Sequence, residues 1–503
     1  MPSTRYVALP KKKERIYLYE ADRSTKVQEV LWGDYLQVEQ TMSGGWLKIC
    51  WAPNTEKRIL YIRKSQTVET RPLEIVFVDV GQGDGAVLIT PEPDQSERVI
   101  VIDAGERENM HDFLKGRFGT YDTGRQFHAA VITHPDRDHY KGFGPIFEDE
   151  SIGFDVVYHN GLIERPVSNE WPKVLGHTAD PETGVRYVGS LAVDSDLVNE
   201  TFAADVDVGA FNFANVMQAA VKNEHVKAFQ MLGRPVDATE PVFVPDFGPD
   251  DAGDYSMEIL GPIVERDDGG PRLRKLGDYG ETKNGHSVLL RLTVGDFRIL
   301  FGGDLNVPAE EFLLTHYTGL DEFPAKGSQR YQDMVADASH IFRSDLMKSC
   351  HHGSEKVTDA FLEAVNAAAF VISSGDNESY IHPRPDLLGR LGTFGRGERP
   401  VLLSTELQRS TRAREDEAVV ADLMADVIAL AAKTESDAAM GQEIADRVER
   451  LGRTNVSVWG SIYVKTDGQR LITAFKVETG TAKKKWFYYE YEWNDEGLLV
   501  LVD

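Results

Sequence analysis

The run His134-Pro135-Asp136-Arg137-Asp138-His139 constrains this chain more than any other feature. Four side chains able to bind a metal stand within six residues. They follow directly on the apolar run Ala129-Ala130-Val131-Ile132-Thr133, which reads as a buried strand. A loop at the end of such a strand can fold all four inward. Alternation lets His134 and Asp136 face one ion while Asp138 and His139 face a second beside it. With 13 histidines among 503 residues, the spacing is hard to reach by chance. Paired cations a few ångströms apart are the usual apparatus for cleaving phosphoesters and acyl bonds.

Two further apolar runs end on similar groups. Arg298-Ile299-Leu300-Phe301 stops at Gly302-Gly303-Asp304, where a carboxylate can bridge two metals. The strand-like run Leu346 to Ser349 leads into His351-His352-Gly353-Ser354. Adjacent histidines rarely point the same way, so one is expected as a ligand and the other toward substrate. Three separate strand ends carrying His or Asp are the pattern of a metal site at one edge of a sandwich. Cys350 abuts the histidine pair. On a strand its side chain would point away from that of His351, as a packed thiol.

The surrounding chain reads as strands with helices between them. Residues 1–70 alternate in short strands broken by Gly33-Asp34 and Ser43-Gly44-Gly45, which suggests a little barrel. Near residue 73 buried-type strands begin: Leu73 to Val80, Ala86 to Thr90 and Arg98 to Ile102. A short helix is expected at Asn109 to Phe118. Residues 160–255 read as an insertion with a helix from Ala214 to Met231. Strands resume at Ser256 to Leu260 and Ser287 to Val294, with a helix at Thr358 to Ala368 and a strand at Phe370 to Ser374. Ala413 to Arg453 is helical by composition, and three antiparallel strands follow. The pattern is α/β, or a β-rich sandwich with helical cover.

Composition narrows the function. The net charge is 55 minus 81, or −26. Non-specific affinity for nucleic acid comes from neutralised phosphates, so an acidic surface favours small substrates, short oligonucleotides or a basic protein partner. Cys50 and Cys350 support neither a disulfide framework nor a cysteine zinc knuckle. No apolar run is long enough to cross a membrane, and Met1 to Arg15 has no apolar core of a secretory signal. A cytoplasmic location is expected, with no membrane association.

At "FVDVGQGDGAVLIT", "VIDAG", "VITHPDRDHYKG", "NGHSVLLRLTVGDFRILFGGDL", "LMKSCHHGSEKVTDAFLEAV" and "VISSGDNESYIHP" the chain resembles the metallo-β-lactamase superfamily. It is most similar to the branch found in DNA-uptake channel proteins of the ComEC/Rec2 type. The similarity runs over about residues 73–395 and resumes in the tail, where Leu403-Ser404-Thr405-Glu406 would be followed directly by "GSIYVKTDGQ" from Gly460. It implies an αββα sandwich over residues 73–503, with insertions at about 160–255, 306–342 and 408–455. The run "GDYLQVEQTMSGGWLKICW" resembles bacterial SH3-like domains and implies an all-β module over residues 1–70. Such a module is a candidate surface for a protein partner.

Carried over by motif, the resemblance gives each residue a role. His134 and Asp136 would bind a first divalent ion, and Asp138 and His139 a second. Asp304 would bridge them, and His352 would complete the second position. Asp103 would orient a ligand, and Asp79 and Asp84 would be structural or supporting. Asn284 or Ser287 would take the place of the third-motif ligand, near His286. Asp136 stands where many members have His, and oxygen ligands shift preference toward manganese while the general affinity order favours zinc. Asp138 or Asp304 would orient the attacking hydroxide. His351 or His382 would contact the substrate's phosphate or protonate its leaving group, with Lys141 a candidate for the phosphate oxygens. The implied activity is hydrolysis of a phosphoester or phosphodiester, with nucleotides and nucleic acid as candidate substrates. Two other readings stand beside it: a hydrolase of another ester, lactone or thioester, and a non-catalytic metal-containing binding protein.

Overall fold

The computed structural model describes residues 3–502 apart from 12–13, 52–56, 94–95, 120–124, 165–174, 176, 180–183, 211, 252, 376–381, 406–416, 434–436 and 454–459. For 177–179, 417–421, 446–453 and 478–480 it describes the backbone alone. The chain is mixed α/β, with four sheets among the described residues.

Two of these sheets carry the site. The larger has ten strands in the order Phe229–Met231, Ile152–His159, Arg125–Ile132, Val99–Ala104, Gly85–Ile89, Leu73–Phe77, Ile462–Thr466, Leu471–Thr481, Lys484–Trp493 and Leu499–Leu501. The smaller has six: Tyr255–Gly261, Leu289–Val294, Phe297–Phe301, Leu346–Lys348, Ala369–Ile372 and Val401–Ser404. Period-two alternation sorts the side chains into layers. Ile75, Phe77, Leu88, Ile100 and Val131 turn inward to meet Met257, Leu290, Leu292, Ile299 and Phe301 of the facing sheet. Val76, Val87, Val101 and Ala130 turn outward, under the helices Asn109–Phe118, Phe143–Phe147 and Asn212–Lys222. On the far side, Leu289, Leu300, Met347 and Phe370 pack beneath Val307–Thr318, Gln329–Phe342, Asp359–Val365 and Pro385–Phe394. The layers are thus helix, sheet, sheet, helix. A one-residue slip in any central strand would carry its Val and Ile side chains to the wrong face. Each buried side chain of that size contributes roughly 2 kcal/mol, so the register is strongly specified.

Strand direction fixes where the site lies. Val99–Ala104, Arg125–Ile132 and Ile152–His159 run parallel, so their carboxyl ends share one edge. Phe297–Phe301, Leu346–Lys348 and Ala369–Ile372 do the same in the smaller sheet. The histidines and aspartates singled out in the sequence follow these carboxyl ends.

Residues 3–68 form a seven-stranded antiparallel sheet with its own core, including Ile16, Leu18, Leu36, Leu47, Ile49, Leu60 and Ile62. It leans on the far end of the large sheet. The Glu29 carboxylate accepts from the backbone amides of Lys485 (2.6 Å) and Trp486 (3.1 Å), and Arg15 pairs with its other oxygen at 2.7 Å.

Several local expectations need correction. The helix expected over Ala214 to Met231 spans Asn212–Lys222, and Phe229–Met231 is instead a parallel edge strand beside Ile152–His159. Part of the presumed insertion therefore completes the large sheet. Within 306–342, Val307–Thr318 and Gln329–Phe342 form much of the outer helical layer. Ala413 to Arg453 is two helices in its described part, Glu417–Ala431 and Ala438–Arg453. Cys350 does not lie on a strand: Cys350–Gly353 is a tight turn with His351 and His352 at φ 50° and 52°. The thiol is nevertheless buried. No described helix is long and apolar enough to cross a membrane.

Candidate metal centre

The centre is built from Asp103 upward. A bulge between Ile102 and Ala104 puts Asp103 at φ 54° and turns its carboxylate inward. Its Oδ1 accepts from the Thr133 amide at 2.8 Å, and its Oδ2 from the Thr133 hydroxyl at 2.7 Å. His139 Nδ1 lies 2.8 Å from the same Oδ2. The short helix Arg137–Tyr140, capped by the Asp136 side chain, holds His139 in that position. His139 therefore donates through Nδ1, so the neutral ring presents its lone pair at Nε2.

His352 follows the same logic. Its Nδ1 sits 3.2 Å from the Ser373 carbonyl and 3.1 Å from Asp84 Oδ1, both acceptors. His134 does so by elimination. Its Nδ1 is 3.1 Å from the Thr133 hydroxyl and 3.2 Å from the Ser287 hydroxyl. Thr133 already donates to Asp103, and Ser287 donates to the Asn284 carbonyl at 2.7 Å. Neither hydroxyl has a second proton, so the hydrogen is on His134 Nδ1 and Nε2 is a lone pair. That Nε2 is buried without a hydrogen-bond partner.

With both rings neutral, acceptors converge on acceptors. His139 Nε2 lies 3.2 Å from His352 Nε2 and 3.2 Å from Asp304 Oδ1. His352 Nε2 lies 3.3 Å from both Asp304 Oδ2 and Asp138 Oδ2. Four ligands around an ion with bonds of about 2.0–2.1 Å stand roughly 3.3 Å apart, so the spacing fits a tetrahedral divalent cation. One ligand atom each from Asp84, His139, Asp304 and His352 also lies within 4.8 Å of the others. Asp84 thus belongs inside the cluster and is more than a remote support. Lys348, buried on the central strand of the smaller sheet, forms an ion pair with it and donates to the Gly303 carbonyl at 3.0 Å.

Electrostatics favours a cation. Asp84, Asp103, Asp138 and Asp304 share this interior with the Lys348 ammonium, which leaves three negative charges if the histidines are neutral. Burial opposes ionisation of His139, but the Asp304 and Asp103 carboxylates outweigh it and raise its pKa well above the ordinary value. His352 is raised in the same way, by Asp304 and Asp84. Burial works against the Asp304 and Asp138 carboxylates too, yet the histidines hold both below the usual range. Burial lowers His134, and the His139 charge adds to it. A site that attracts protons this strongly also attracts a metal ion.

Glycines let the loops close. Gly83 has φ 107°, and a Cβ there would stand 1.9 Å from the Asp138 carbonyl oxygen. A Cβ at Gly303, itself at φ 51°, would meet Ser287 at 2.6 Å.

The cluster opens into a cavity of about 720 Å³. Asp138, Asp304, His351, His352 and His382 line its floor, and Glu106, Asp278, Glu281 and Lys356 stand on its walls. His351 Nε2 is 3.9 Å from Asp304 Oδ2, and its ring centroid is 6.1 Å from that of His382. Asp136 also reaches the cavity, but its carboxylate turns to Lys283 (3.1 Å) and not into the cluster. Of the third-motif candidates, Ser287 supports His134, and Asn284 lies beside Asp136. His286 bonds the Arg274 carbonyl at 2.6 Å, away from the site. Lys141 is 3.8 Å from Glu106 and does not line the cavity. The sequence reading missed Lys348; Asp84, expected as structural or supporting, meets His352 Nδ1 and Lys348. Lys348, the one charged residue of "LMKSC" on a buried strand, was the available signal.

No family model and no curated protein matches the chain. Among solved structures, Zn2+-bound PqqB from Methylobacterium extorquens is similar, at a TM-score of 0.30 and 9% sequence identity, over 66% of this chain and 97% of that one.

Proposed function

We propose that this chain is a metal-dependent hydrolase of the metallo-β-lactamase type that cleaves a phosphoester or phosphodiester. The observation that carries the hydrolase reading is the set of facing acceptors, His139 Nε2, His352 Nε2, Asp304 and Asp138, at the floor of an open cavity. The sequence resemblance to the ComEC/Rec2-type branch supports the phosphoester. Zinc and manganese both suit a set of two imidazoles and two carboxylates.

When bound, a divalent cation supplies Lewis acidity and lowers the pKa of water. The chain's own residues do the rest. His139 and His352 are held by Asp103 and by the Ser373 carbonyl, so their Nε2 atoms do not swing. Asp138, at the cavity floor, orients the attacking water. His351 and His382 stand on the open side and hydrogen-bond the leaving oxygen. The SH3-like module over residues 1–70 lies far along the large sheet and is assigned to a protein partner.

A second reading has its own support. Glu106, Asp278 and Glu281 outnumber Arg137 and Lys356 on the cavity walls, which favours a neutral ester, lactone or thioester over a polyanion. Both are tested on protein loaded with Zn2+ or Mn2+, using bis(p-nitrophenyl) phosphate, single-stranded DNA and p-nitrophenyl acetate. Phosphodiester turnover that falls at least a hundredfold in Asp138→Ala is expected. Turnover of the carboxylic ester alone selects the second reading. Equal turnover by wild type and Asp138→Ala removes the catalytic assignment.

A further inference from the structure

The two halves of the His134–His139 motif are not equally free to bind a metal. In the second half, Asp138 and His139 turn into the cluster, where Asp304 and His352 meet them. In the first half, the Asp136 carboxylate is already committed to protein donors. Its Oδ1 accepts from the Arg137 amide at 2.9 Å and pairs with Lys283 Nζ at 3.1 Å. Its Oδ2 faces the side-chain amide of Asn284. Only with the nitrogen of that amide toward Asp136 do both neighbours pair correctly, Asp136 Oδ2 at 3.2 Å and the Gly280 carbonyl at 3.2 Å. Asn284 therefore offers Asp136 a donor and not a metal-binding oxygen.

Lys283 cannot simply step aside. Its side chain is 6% exposed, and its ammonium lies 5.0 Å from the centre of the Tyr279 ring. A buried ammonium without a counter-ion is costly, so Lys283 needs the Asp136 charge as much as Asp136 is neutralised by it. A divalent ion bound through Asp136 would sit beside this ammonium and compete for the same carboxylate. His134 Nε2 is then the one uncommitted ligand atom of the first half among the described residues.

We infer that the Lys283–Asp136 ion pair takes the place of the first metal, so that the centre binds one divalent cation per chain, held by Asp138, His139, Asp304 and His352. This rests on the proposed metal-dependent function and replaces the pair of ions expected from the motif with one ion and one built-in ammonium. A single ion narrows the chemistry. Substrate oxygens are drawn to one metal, and no second cation clamps the leaving group.

Metal stoichiometry tests this without reference to turnover. The full chain is saturated with Zn2+, or with Mn2+, passed through a desalting column, and its bound metal counted by plasma mass spectrometry. One ion per chain is expected, with the hyperfine-split electron paramagnetic resonance signal of isolated Mn2+. Lys283→Met should admit a second ion and give the spin-coupled signal of a Mn2+ pair. Asp136→Asn, which keeps the shape of the side chain, should still bind one. Two ions in the wild type, or a loss of bound metal in Asp136→Asn, would overturn the inference and leave the hydrolase reading intact. One ion in a folded Lys283→Met would overturn the role given to Lys283. No bound metal in the wild type would overturn the proposed function itself.

Discussion

Three donors converge on Asp103, a side chain that never reaches the cavity: the Thr133 amide, the Thr133 hydroxyl and His139 Nδ1. The carboxylate thereby fixes which nitrogen of His139 carries the hydrogen. Asp103→Asn offers an amide NH2 that can face Nδ1 and invite the other tautomer. Residues that orient a metal-binding imidazole in this way typically change metal affinity 10- to 100-fold. Competition with a chromogenic chelator should show a weakening of that order while the fold, followed by circular dichroism, persists. An unchanged affinity would exclude the tautomer argument. At this scale the sequence was readable where chemistry is local. His and Asp at strand ends announce themselves, and Asp138, His139, Asp304 and His352 do meet. Lys283 and Asn284 were opaque, because whether they bind Asp136 or free it depends on the short helix Tyr279–Gly285, 147 positions along the chain (283 minus 136).

The strands were legible because each is short, apolar and closed by a turn signal. Leu73–Phe77, Val99–Ala104 and Phe297–Phe301 all fall where period and composition place them. The helix read through to Met231 shows the limit: it ends at Lys222, and Phe229–Met231 is captured by a neighbouring strand edge. The turn Cys350–Gly353 shows another, since nothing in "CHHG" states that two histidines adopt left-handed backbone angles. The loop between Phe77 and Gly85 carries the prediction at this scale. Gly83→Ala would place a methyl group on the Asp138 carbonyl at a backbone angle that alanine rarely adopts. A strained residue of this kind costs about 1–3 kcal/mol before any clash. A lowered melting temperature is expected together with weaker metal binding, because the loop must move off Asp138. A drop in melting temperature with metal affinity intact would separate the loop from the centre.

Four carboxylates gather where the ten-stranded and six-stranded sheets meet. Asp84, Asp103, Asp138 and Asp304 all lie in the interior. A cation held by this centre would bind the folded chain and not the unfolded one, so an ion present at 100 times its dissociation constant would add about 2.7 kcal/mol of stability. Removal of metal with EDTA should therefore lower the melting temperature measured by calorimetry. Re-addition of Zn2+ or Mn2+ should restore it, and His352→Ala should show neither response. A wild-type melting temperature indifferent to EDTA would argue that no metal is bound in the fold. The order of layers was readable in outline from strand and helix composition. The extent of the large sheet was not, because its membership depends on partners hundreds of residues apart.

That distance has a temporal consequence. Leu73–Phe77 pairs along its full length with Ile462–Thr466, and Thr405 and Gly460, at the two ends of the intervening helical segment, come into contact. On the ribosome the groups from Asp84 to His352 emerge long before the strand that covers one flank of their sheet. Until then Leu73–Phe77 presents an open edge, apolar but for Glu74. The nascent chain therefore needs that edge shielded, by a chaperone or by its own N-terminal unit, until Ile462–Thr466 is made.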